Sequence, residues 1–589
     1  MPPEQKLFVW GRVKTNPAPF KYFITFFIPI IVVFSVYAKT LKFDFVWDDI
    51  IVLQNSLAGL RDYSIFLGNG LWSYYRPLIG LSYMFDYTVW GNNPMGFHLF
   101  NLVLYVLTTL AATILIYRMF SLNEIAALLG GLLFAVLSTH VESVAWVSGR
   151  TDIISAFFLF LTILAFIEYL EQSRKIALWL TAIFAIFSMW GKETGVAYIF
   201  ILPIVGLLKK HKVNLKEFLI LFLPLFVYSV MKMGFFWPHI FGKETATSPI
   251  SSATSTSTSL NFFKALIKVL NALGFYIWRV FWPFNLSLFY KKLSITPIYL
   301  ILSIVYLAAM LSSAVKKRWK LFFILFWFFV TLLPSLVLCI VNLSATPIAD
   351  RYLFIPSFSL SIAVASLWNT LSERKIRRAF LFIYAAFLML HFYASLKRIP
   401  DWKDNYAIWE SSYYYNPDNP LVAYWYAKSL YENGELGRAE KIAKELLKKS
   451  RKRNIVASVC KLLAAIELSK GNMELANRYI DKSIKTLRSA SGLFLKTRIF
   501  LKKYLSTGDS KWLDSVIIYD EEASSMFPYN MKYRYDLGLA YLEKGEIEKA
   551  RRELEFIIEN DPSGPYTPEA LEVLKDIEAG LWEKGTLRN

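Results

Sequence analysis

Cysteine is scarce in this sequence, which has only two, Cys339 and Cys460, in 589 residues. Two cysteines so far apart provide neither a disulfide framework nor a set of metal ligands. Charged residues are also few, at 19% of the chain, against 55% apolar and 17% aromatic residues. This composition is more hydrophobic than that of an ordinary soluble globular protein, and it predicts a membrane protein.

Acidic residues are outnumbered, since 45 Asp and Glu stand against 65 Lys and Arg and the formal charge is +20. Such an excess of positive charge is typical of proteins that bind nucleic acid or an anionic membrane surface, and the positions of the cations distinguish these alternatives. They cluster in alternate short connections, at Arg118, Arg174, Lys175, 209–212, 316–318 and 374–378. Positive charge in short loops marks the cytoplasmic side. Much of the excess positive charge therefore sets the orientation of the chain in the membrane, and we expect no nucleic-acid partner.

The apolar segments predict about 11 membrane spans. They cover residues 22–38, 97–118, 124–139, 152–169, 176–190, 196–208, 216–233, 297–314, 321–340, 352–368 and 379–395. The first has the charge order of a signal sequence, but we interpret it as an uncleaved anchor because many spans follow. With residues 1–21 in the cytoplasm, an odd number of spans places everything after residue 395 outside it.

Residues 262–282 complicate this count. The segment carries Lys264, Lys268 and Arg279 among apolar residues, which favours an interfacial or re-entrant helix over a further span. A further span would also place the basic clusters 316–318 and 374–378 outside the cytoplasm.

The sequence after residue 400 becomes polar and repetitive. Four glycines recur every 37 residues, at Gly434, Gly471, Gly508 and Gly545. A glycine that ends one helix and a small residue where the next helix packs are typical of stacked helical hairpins. We predict a linker over 396–415 and an α-solenoid of tetratricopeptide-like repeats over 416–580. Its concave surface is expected to hold a protein partner, with a purely structural role as the alternative.

Ionisable residues at one end of the predicted spans form the candidate site. They lie in the first external loop, 40–95, in three later external loops, and at the top of the second span. The residues are Asp48, Asp49, Arg76, His98, His140, Glu142, Arg150, Asp152, Lys192, Glu193, Asp350 and Arg351. Any single pair among them is explained by a salt bridge between loops. Because ionisable residues at the edge of spans are costly, four such loops on one face predict a site for an anionic ligand.

This set of residues suits group transfer from a lipid-linked phosphate. Four cations would neutralise the leaving phosphate: Arg76, Arg150, Lys192 and Arg351. Asp48 or Asp49 would take the proton of the attacking hydroxyl, since adjacent like charges raise the proton affinity of one of them. The alternative role for the pair is to cap a following helix. The pair is also able to bind a divalent ion, but we expect no metal requirement.

An ordered series of motifs resembles a known family. The motifs are "FVWDD", "YRPL", "HLFNLVLY", "HVESVAWVSGRTD", "GKETG" and "ADRYLFIPS", ahead of the repeats. In this order they are similar to the transmembrane and tetratricopeptide-repeat O-mannosyltransferases and their prokaryotic relatives. The sequence departs from this pattern at "STHVES", where relatives often show a proline before the histidine, here His140.

The resemblance implies an integral inner-membrane enzyme of the GT-C class, with its transmembrane domain over residues 22–395. It implies a polyprenyl-phosphate monosaccharide donor, with mannose as the candidate sugar, and inverting transfer to Ser or Thr of proteins outside the cytoplasm. Asp48 and Asp49 correspond to the acidic pair of the first external loop. Two other functions stay open: glycosylation of a lipid or cell-surface glycan by the same core, and a non-enzymatic membrane-anchored scaffold.

Overall fold

The computed structural model describes residues 19–53, 56, 75–241, 262–290, 293–341, 346–562 and 564–581. Regular structure in these ranges is helical throughout, without a strand, so the all-α prediction is confirmed. The chain divides into two compact units, Met1–Tyr415 and Asn416–Asn589, which we describe separately. Residues 1–18 of the predicted cytoplasmic segment and residues 57–74 of the predicted first external loop lie outside the described residues.

The described part of the first unit consists mainly of helices. Its helices are α1 (Pro19–Tyr37), α2 (Pro77–Trp90), α3 (Pro94–Met119), α4 (Glu124–Val136), α5 (Val141–Ala145), α6 (Arg150–Gln172), α7 (Lys175–Gly191), α8 (Tyr198–Leu208), α9 (Leu215–Phe241), α10 (Phe262–Phe281), α11 (Pro297–Val315), α12 (Trp319–Val341), α13 (Phe358–Thr370), α14 (Arg374–Arg398) and α15 (Asn405–Tyr415).

Several helical segments of this unit are long and apolar enough to cross a membrane. Among the described residues there are 6 of them: Lys21–Lys42, Pro94–Met119, Val147–Gln172, Pro297–Val315, Trp319–Ile340 and Arg374–Trp402. A bent pair, Glu124–Val136 with Ser138–Ala145, raises the number to 7 if it counts as one span. Lys175–Gly191 and Glu193–Leu208 are shorter apolar helices. The chain is therefore a membrane protein, as its composition predicts.

Close contacts of small residues and interhelical hydrogen bonds hold the first unit together. Helix α4 packs against α1, α3 and α13. A Cβ added at Gly130 of α4 would lie 2.9 Å from the Ser361 carbonyl oxygen of α13, so only glycine permits this approach. The Tyr384 hydroxyl of α14 donates to the Leu129 carbonyl at 2.7 Å. Since lipid offers little hydrophobic gain for helix association, contacts of this kind stabilise the bundle.

Ion pairs connect the C-terminal ends of three helices at one end of the first unit. Arg118, in the last turn of α3, has Nη2 2.5 Å from Glu171 and 3.1 Å from Glu168 of α6. Lys209, which follows α8, has Nζ 2.8 Å from Glu171. The ends of α3, α6 and α8 therefore lie on the same side of the bundle.

Residues 396–415, predicted as a linker, are largely helical in the structure. Helix α14 ends at Arg398, a turn of 3-10 helix covers Ile399–Trp402, and α15 follows. Trp402 and Trp409 are buried. The Trp402 ring stacks on Trp146 at 5.8 Å between centroids, and Trp409 stacks on Phe289 at 5.7 Å. Burial of such large rings fixes the segment to the first unit.

The second unit is a succession of helices of similar length. They are α16 (Pro420–Glu432), α17 (Leu436–Lys449), α18 (Arg453–Ser469), α19 (Met473–Thr486), α20 (Ala490–Thr507), α21 (Ser510–Met526), α22 (Met531–Lys544), α23 (Ile547–Asn560) and α24 (Thr567–Glu578). Each of these helices packs against the next one along the chain.

The four regularly spaced glycines follow the first helix of each pair and have positive φ. The values are 81° at Gly434, 84° at Gly471, 70° at Gly508 and 88° at Gly545. Residues with a Cβ adopt this left-handed conformation only at a cost, which explains glycine there. Five residues further on, the next helix buries a side chain in each case: Ala439, Ala476, Leu513 and Ala550.

Candidate active site

The acidic pair follows a strained residue that aromatic neighbours hold in place. Trp47 has a φ of 55°, a conformation that is unfavourable for a bulky residue. Its ring stacks on Trp146 at 5.1 Å, and its backbone N–H donates to the Asn405 side-chain oxygen at 2.8 Å. These contacts come from distant parts of the chain, and they fix the direction in which Asp48 and Asp49 leave the loop.

Asp49 is 1% exposed and has its oxygens occupied by hydrogen bonds. Oδ1 accepts from the Ser148 backbone N–H at 2.9 Å and from the Ser148 hydroxyl at 2.6 Å. Oδ2 accepts from the Val46 backbone N–H at 2.9 Å. Neither donor belongs to the helix that starts at residue 49, so these bonds do not cap it. Asp49 instead ties its loop to the segment before α6.

Asp48 is the less constrained member of the pair. Its Oδ1 is buried and has no hydrogen-bond partner among the described residues. Burial raises the pKa of Asp48 to about 7, the charge of Asp49 adds to the rise, and the Arg351 guanidinium opposes it. A carboxylate with a buried free oxygen and a pKa near neutrality has the properties of a general base.

Arg351 brings a fixed cation close to Asp48. Its Nη1 forms an ion pair with Glu142 Oε1, and its backbone N–H donates to Glu142 Oε2 at 3.3 Å. Its Nη2 donates to the Thr346 hydroxyl at 2.6 Å, and its guanidinium lies 5.5 Å from the centre of the Trp146 ring. The Arg351 side chain is 11% exposed and that of Glu142 is 2% exposed. The loop before α13 is therefore locked onto the segment between α4 and α6.

A second buried ion pair lies next to this one. Lys192 Nζ is 2.5 Å from Asp152 Oδ1, while Asp152 Oδ2 is buried without a hydrogen-bond partner among the described residues. Lys192 Nζ is also 5.3 Å from the centre of the Tyr352 ring, beside Arg351 in the chain. Asp152 interacts electrostatically with Arg351. Two cations and their carboxylates thus lie together, and Arg351 connects this group to Asp48.

Asp350 faces a different set of partners from its neighbour Arg351. Its Oδ1 accepts from the Tyr290 hydroxyl at 2.6 Å and lies 3.8 Å from Arg279 Nε. Arg279 Nη2 in turn donates to the Tyr290 hydroxyl at 2.9 Å. Sequence reasoning did not select Arg279 and Tyr290 for the site. The only indication was a cation within the apolar segment 262–282.

Arg150 lies in an enclosed pair with Asp86 and not in an open site. Arg150 Nη1 is 2.6 Å from Asp86 Oδ2, and both side chains are 0% exposed. Arg150 Nη2 donates to the Phe97 carbonyl at 3.1 Å, and the guanidinium lies 4.5 Å from the centre of the Tyr83 ring. The pair joins α2 to the start of α6. Sequence reasoning missed Asp86, although it is the only carboxylate in the apolar helix α2.

The two predicted histidines are packed into the interior. His140 Nδ1 is 2.9 Å from the Tyr105 hydroxyl, and His140 Nε2 is 2.8 Å from the Ser357 hydroxyl. His98 is 0% exposed, and its ring meets Phe43 edge-on at 6.1 Å. These contacts assign both rings to the packing around the site.

Arg76 and Glu193 form their own ion pair, with Nη2 to Oε2 at 2.7 Å. Their side chains are 18% and 28% exposed, which makes this the most open of the ion pairs that include a predicted site residue. Among the predicted site residues, Arg351 interacts electrostatically with Asp48 and Arg150 with Asp49, while Glu142 and Asp152 interact with Arg351. Within the described residues, no group of three or more His, Cys, Asp or Glu side chains is placed to hold a metal ion.

Comparison with known proteins places these features in a wider context. No family model matches the chain. Protein O-mannosyl-transferase Tmtc1 of Drosophila melanogaster is 30% identical over 175 residues, which is 28% of this chain and 20% of that protein. Protein O-mannosyl-transferase TMTC2 of Mus musculus is 29% identical over 210 residues, 31% of this chain and 24% of that protein. Protein O-mannosyl-transferase TMTC4 of Homo sapiens is 35% identical over 114 residues, 17% of this chain and 15% of that protein.

The chain resembles the TMTC-type protein O-mannosyl-transferases. The resemblance that the ordered motifs predict is thereby confirmed. The matched regions span about a fifth to a quarter of the length of the first two TMTC-type relatives. The likeness to TMTC-type proteins therefore concerns a part of each protein.

Proposed function

We propose that this chain is a membrane glycosyltransferase that moves one monosaccharide, with mannose as the first candidate, from a polyprenyl-phosphate donor to a Ser or Thr hydroxyl of a protein. The observation that carries the proposal is the Asp48 carboxylate, which interacts with the cation Arg351 and whose buried Oδ1 has no hydrogen-bond partner within the described part of the chain. The relatives named protein O-mannosyl-transferases support the reaction class.

The proposed step is a direct displacement with inversion. The acceptor hydroxyl oxygen attacks C1 of the sugar from the side opposite the phosphate, and the bond from C1 to the phosphate oxygen breaks. The acceptor proton passes to Asp48, which acts as general base. Negative charge grows on the departing lipid phosphate, where Arg351 and Lys192 stabilise it. Because these side chains supply the positive charge, we propose that the transfer does not depend on a metal ion.

The other predicted site residues take supporting roles in this proposal. Glu142 and Asp152 orient the two cations through the ion pairs described above. Asp49 holds the loop, and Arg150 with Asp86 holds α2 against α6. A guanidinium with all its surroundings occupied by protein is poorly placed to receive a phosphate, so we assign Arg150 to positioning.

We propose a GT-C topology of about 11 spans formed by α1, α3, α4, α6 to α9 and α11 to α14. The ion pairs of Arg118 and Lys209 support it, because they place helix ends on one side as alternating spans require. We assign that basic side to the cytoplasm and the acidic pair to the outside of the inner membrane. Helix α10 exposes Phe262, Phe263 and Trp278, which suits a position at the lipid interface.

We propose that α16 to α24 form a solenoid of tetratricopeptide-like repeats that recruits the acceptor protein. The positive φ of the glycines at the 37-residue spacing supports a repeated helical hairpin. Stacked hairpins of this kind present extended concave surfaces to peptides and proteins. The repeats would then select the acceptor, while the membrane unit binds the lipid and carries out the transfer.

Sugar transfer by the purified chain tests the proposed function. The full chain in lipid nanodiscs is given polyprenyl-phosphate mannose and an uncharged synthetic peptide rich in Ser and Thr, with and without EDTA. We expect a mannosylated peptide of inverted anomeric configuration, measured by mass spectrometry and NMR, and no effect of EDTA. Transfer to lipid or glycan acceptors alone would replace the protein acceptor by the alternative named above. No consumption of any polyprenyl-phosphate sugar would favour the scaffold function.

A further inference from the structure

A polar cavity lies beside the candidate active site and takes no part in the steps described so far. Its volume is about 310 Å³, near the lower end of the roughly 300–1,000 Å³ of ligand sites. Hydroxyl and amide side chains dominate its lining: Asn285, Ser287, Tyr290, Ser294, Thr296 and Tyr299.

The cavity adjoins both groups that the proposed transfer needs. Its wall residue Phe289 has its ring 5.7 Å from that of Trp47, which directly precedes Asp48. Its wall residue Tyr290 donates to Asp350, which directly precedes Arg351. A ligand in the cavity is therefore one ring contact from Trp47 and one hydrogen bond from Asp350, the residues that directly precede the base and the phosphate-binding cation in the chain.

Hydrogen bonds from α10 fix the wall of the cavity. The Asn271 side chain donates to the Ser294 carbonyl at 3.0 Å and accepts from the Thr296 backbone N–H at 2.8 Å. The Ser287 backbone N–H donates to the Tyr290 hydroxyl at 3.3 Å. These bonds order the wall of the cavity, and an ordered wall lowers the entropic cost of binding.

The charged group in the described lining already has partners. Among the described lining residues, Arg279 is the one charged side chain, and Asp350 lies 3.8 Å from its Nε. Arg279 also donates to the Phe284 carbonyl at 2.5 Å and to the Asn285 carbonyl at 3.0 Å. A cation with these partners has little left for a phosphate, whereas hydroxyls and amides match the N–H and C=O groups of a peptide.

We infer that this cavity is the acceptor subsite, and that it takes a short stretch of protein chain whose Ser or Thr hydroxyl reaches Asp48. The inference rests on the proposed function and adds the place and chemistry of acceptor binding. Tyr415, the last residue of the membrane unit, also lines the cavity. A chain bound there meets the segment from which the repeats continue in sequence.

A pair of neighbouring substitutions tests this assignment. Ser294→Trp fills the mouth of the cavity, while Ile295→Trp adds the same ring next to it at a side chain that is 60% exposed and outside the lining. With the full chain in nanodiscs, we expect Ser294→Trp to raise the KM for the Ser- and Thr-rich peptide about tenfold or more relative to Ile295→Trp. The KM for polyprenyl-phosphate mannose should agree between the two variants within about twofold.

Two outcomes would overturn the acceptor subsite. An equal peptide KM in both variants shows that the cavity does not hold the acceptor, and a rise confined to the donor KM assigns the cavity to the sugar lipid. If Ser294→Trp does not fold, Ser294→Cys is modified with a maleimide after purification, with Ile295→Cys and the unsubstituted chain as controls. If the unsubstituted chain transfers no sugar to any acceptor, the proposed function itself fails, so the two failures are distinguishable.

Discussion

Replacing Asp48 by Asn removes the proposed base while preserving the size of the side chain. An amide cannot take the proton of the acceptor hydroxyl, so we expect transfer to slow by about 10²- to 10⁴-fold. In the unsubstituted chain, kcat/KM for the donor should rise with pH up to about 7, because burial and the neighbouring Asp49 raise the pKa of Asp48 to about 7. The residual activity of Asp48→Asn should lack this rise.

The same substitution should stabilise the folded chain above neutral pH. Because the pKa of Asp48 is raised from 3.8 to about 7 by burial, its carboxyl stays protonated in the folded state where the unfolded state is already ionised. Its contribution to stability is complete below pH of about 4 and is lost as the pH rises through about 7. A pKa rise of about three corresponds to about 4 kcal/mol, and solvent screening of the part-exposed side chain reduces this to about 2 kcal/mol.

Thermal unfolding between pH 5 and 8 separates this effect from a general change in folding. The melting temperature of Asp48→Asn should exceed that of the unsubstituted chain by an amount that grows with pH. Asp49→Asn is the comparison variant, because the loss of a carboxylate that accepts from Val46 and Ser148 should lower stability by about 1–3 kcal/mol. Burial also raises the pKa of Asp49, to about 6, so this loss should become smaller as the pH rises. The reasoning is refuted if Asp48→Asn transfers sugar at the original rate, or if its melting temperature follows the unsubstituted chain at every pH.

Three further predictions concern other parts of the molecule. Asp86→Asn leaves Arg150 buried without its charged partner and should lower the free energy of unfolding by about 3–5 kcal/mol, measured by thermal unfolding. The double variant Asp86→Leu with Arg150→Met should recover much of this loss. Arg351→Lys keeps the charge but loses the planar donors and the bond to Thr346, so kcat/KM should fall by about tenfold to hundredfold with a small loss of melting temperature. Gly434→Ala, at a φ of 81°, should cost about 1 kcal/mol and speed hydrogen exchange in the flanking helices, whereas Gly437→Ala, with open space around it, should not.

Composition and periodicity were sufficient for the general class of the fold. Long apolar runs with few charges predict membrane helices, because only helices and closed barrels satisfy the backbone in lipid. The prediction of a linker over 396–415 rested on the change to a polar composition after residue 400. It missed that Trp402 and Trp409 are buried. An apolar side chain in a polar segment indicates burial, but its partners Trp146 and Phe289 are remote in the chain and carry no local mark.

The candidate site shows the same limit more sharply. The residue types could be selected from the sequence, because acids and cations gather in loops that alternate with purely basic ones, and their common side of the membrane stays a prediction. Their pairing was not readable, since each ion pair joins different helices and depends on packing. Asp48 and Asp49 are adjacent and chemically identical, yet Asp49 accepts three hydrogen bonds, whereas Asp48 has a buried oxygen that no described residue bonds.

The arrangement of charges also predicts how the pKa of Asp48 changes when the proposed phosphate donor binds. Arg351 is paired with Glu142 and Lys192 with Asp152, so a bound phosphate adds negative charge to cations that already have partners. The negative charge of the phosphate opposes ionisation of Asp48. It should raise the pKa of Asp48 above the value of about 7 in the free protein. The pH dependence of kcat reports the enzyme with donor bound, and that of kcat/KM for the donor reports the free enzyme. The rising limb of kcat should therefore lie at higher pH than that of kcat/KM for the donor. Coincident limbs would place the phosphate away from Asp48.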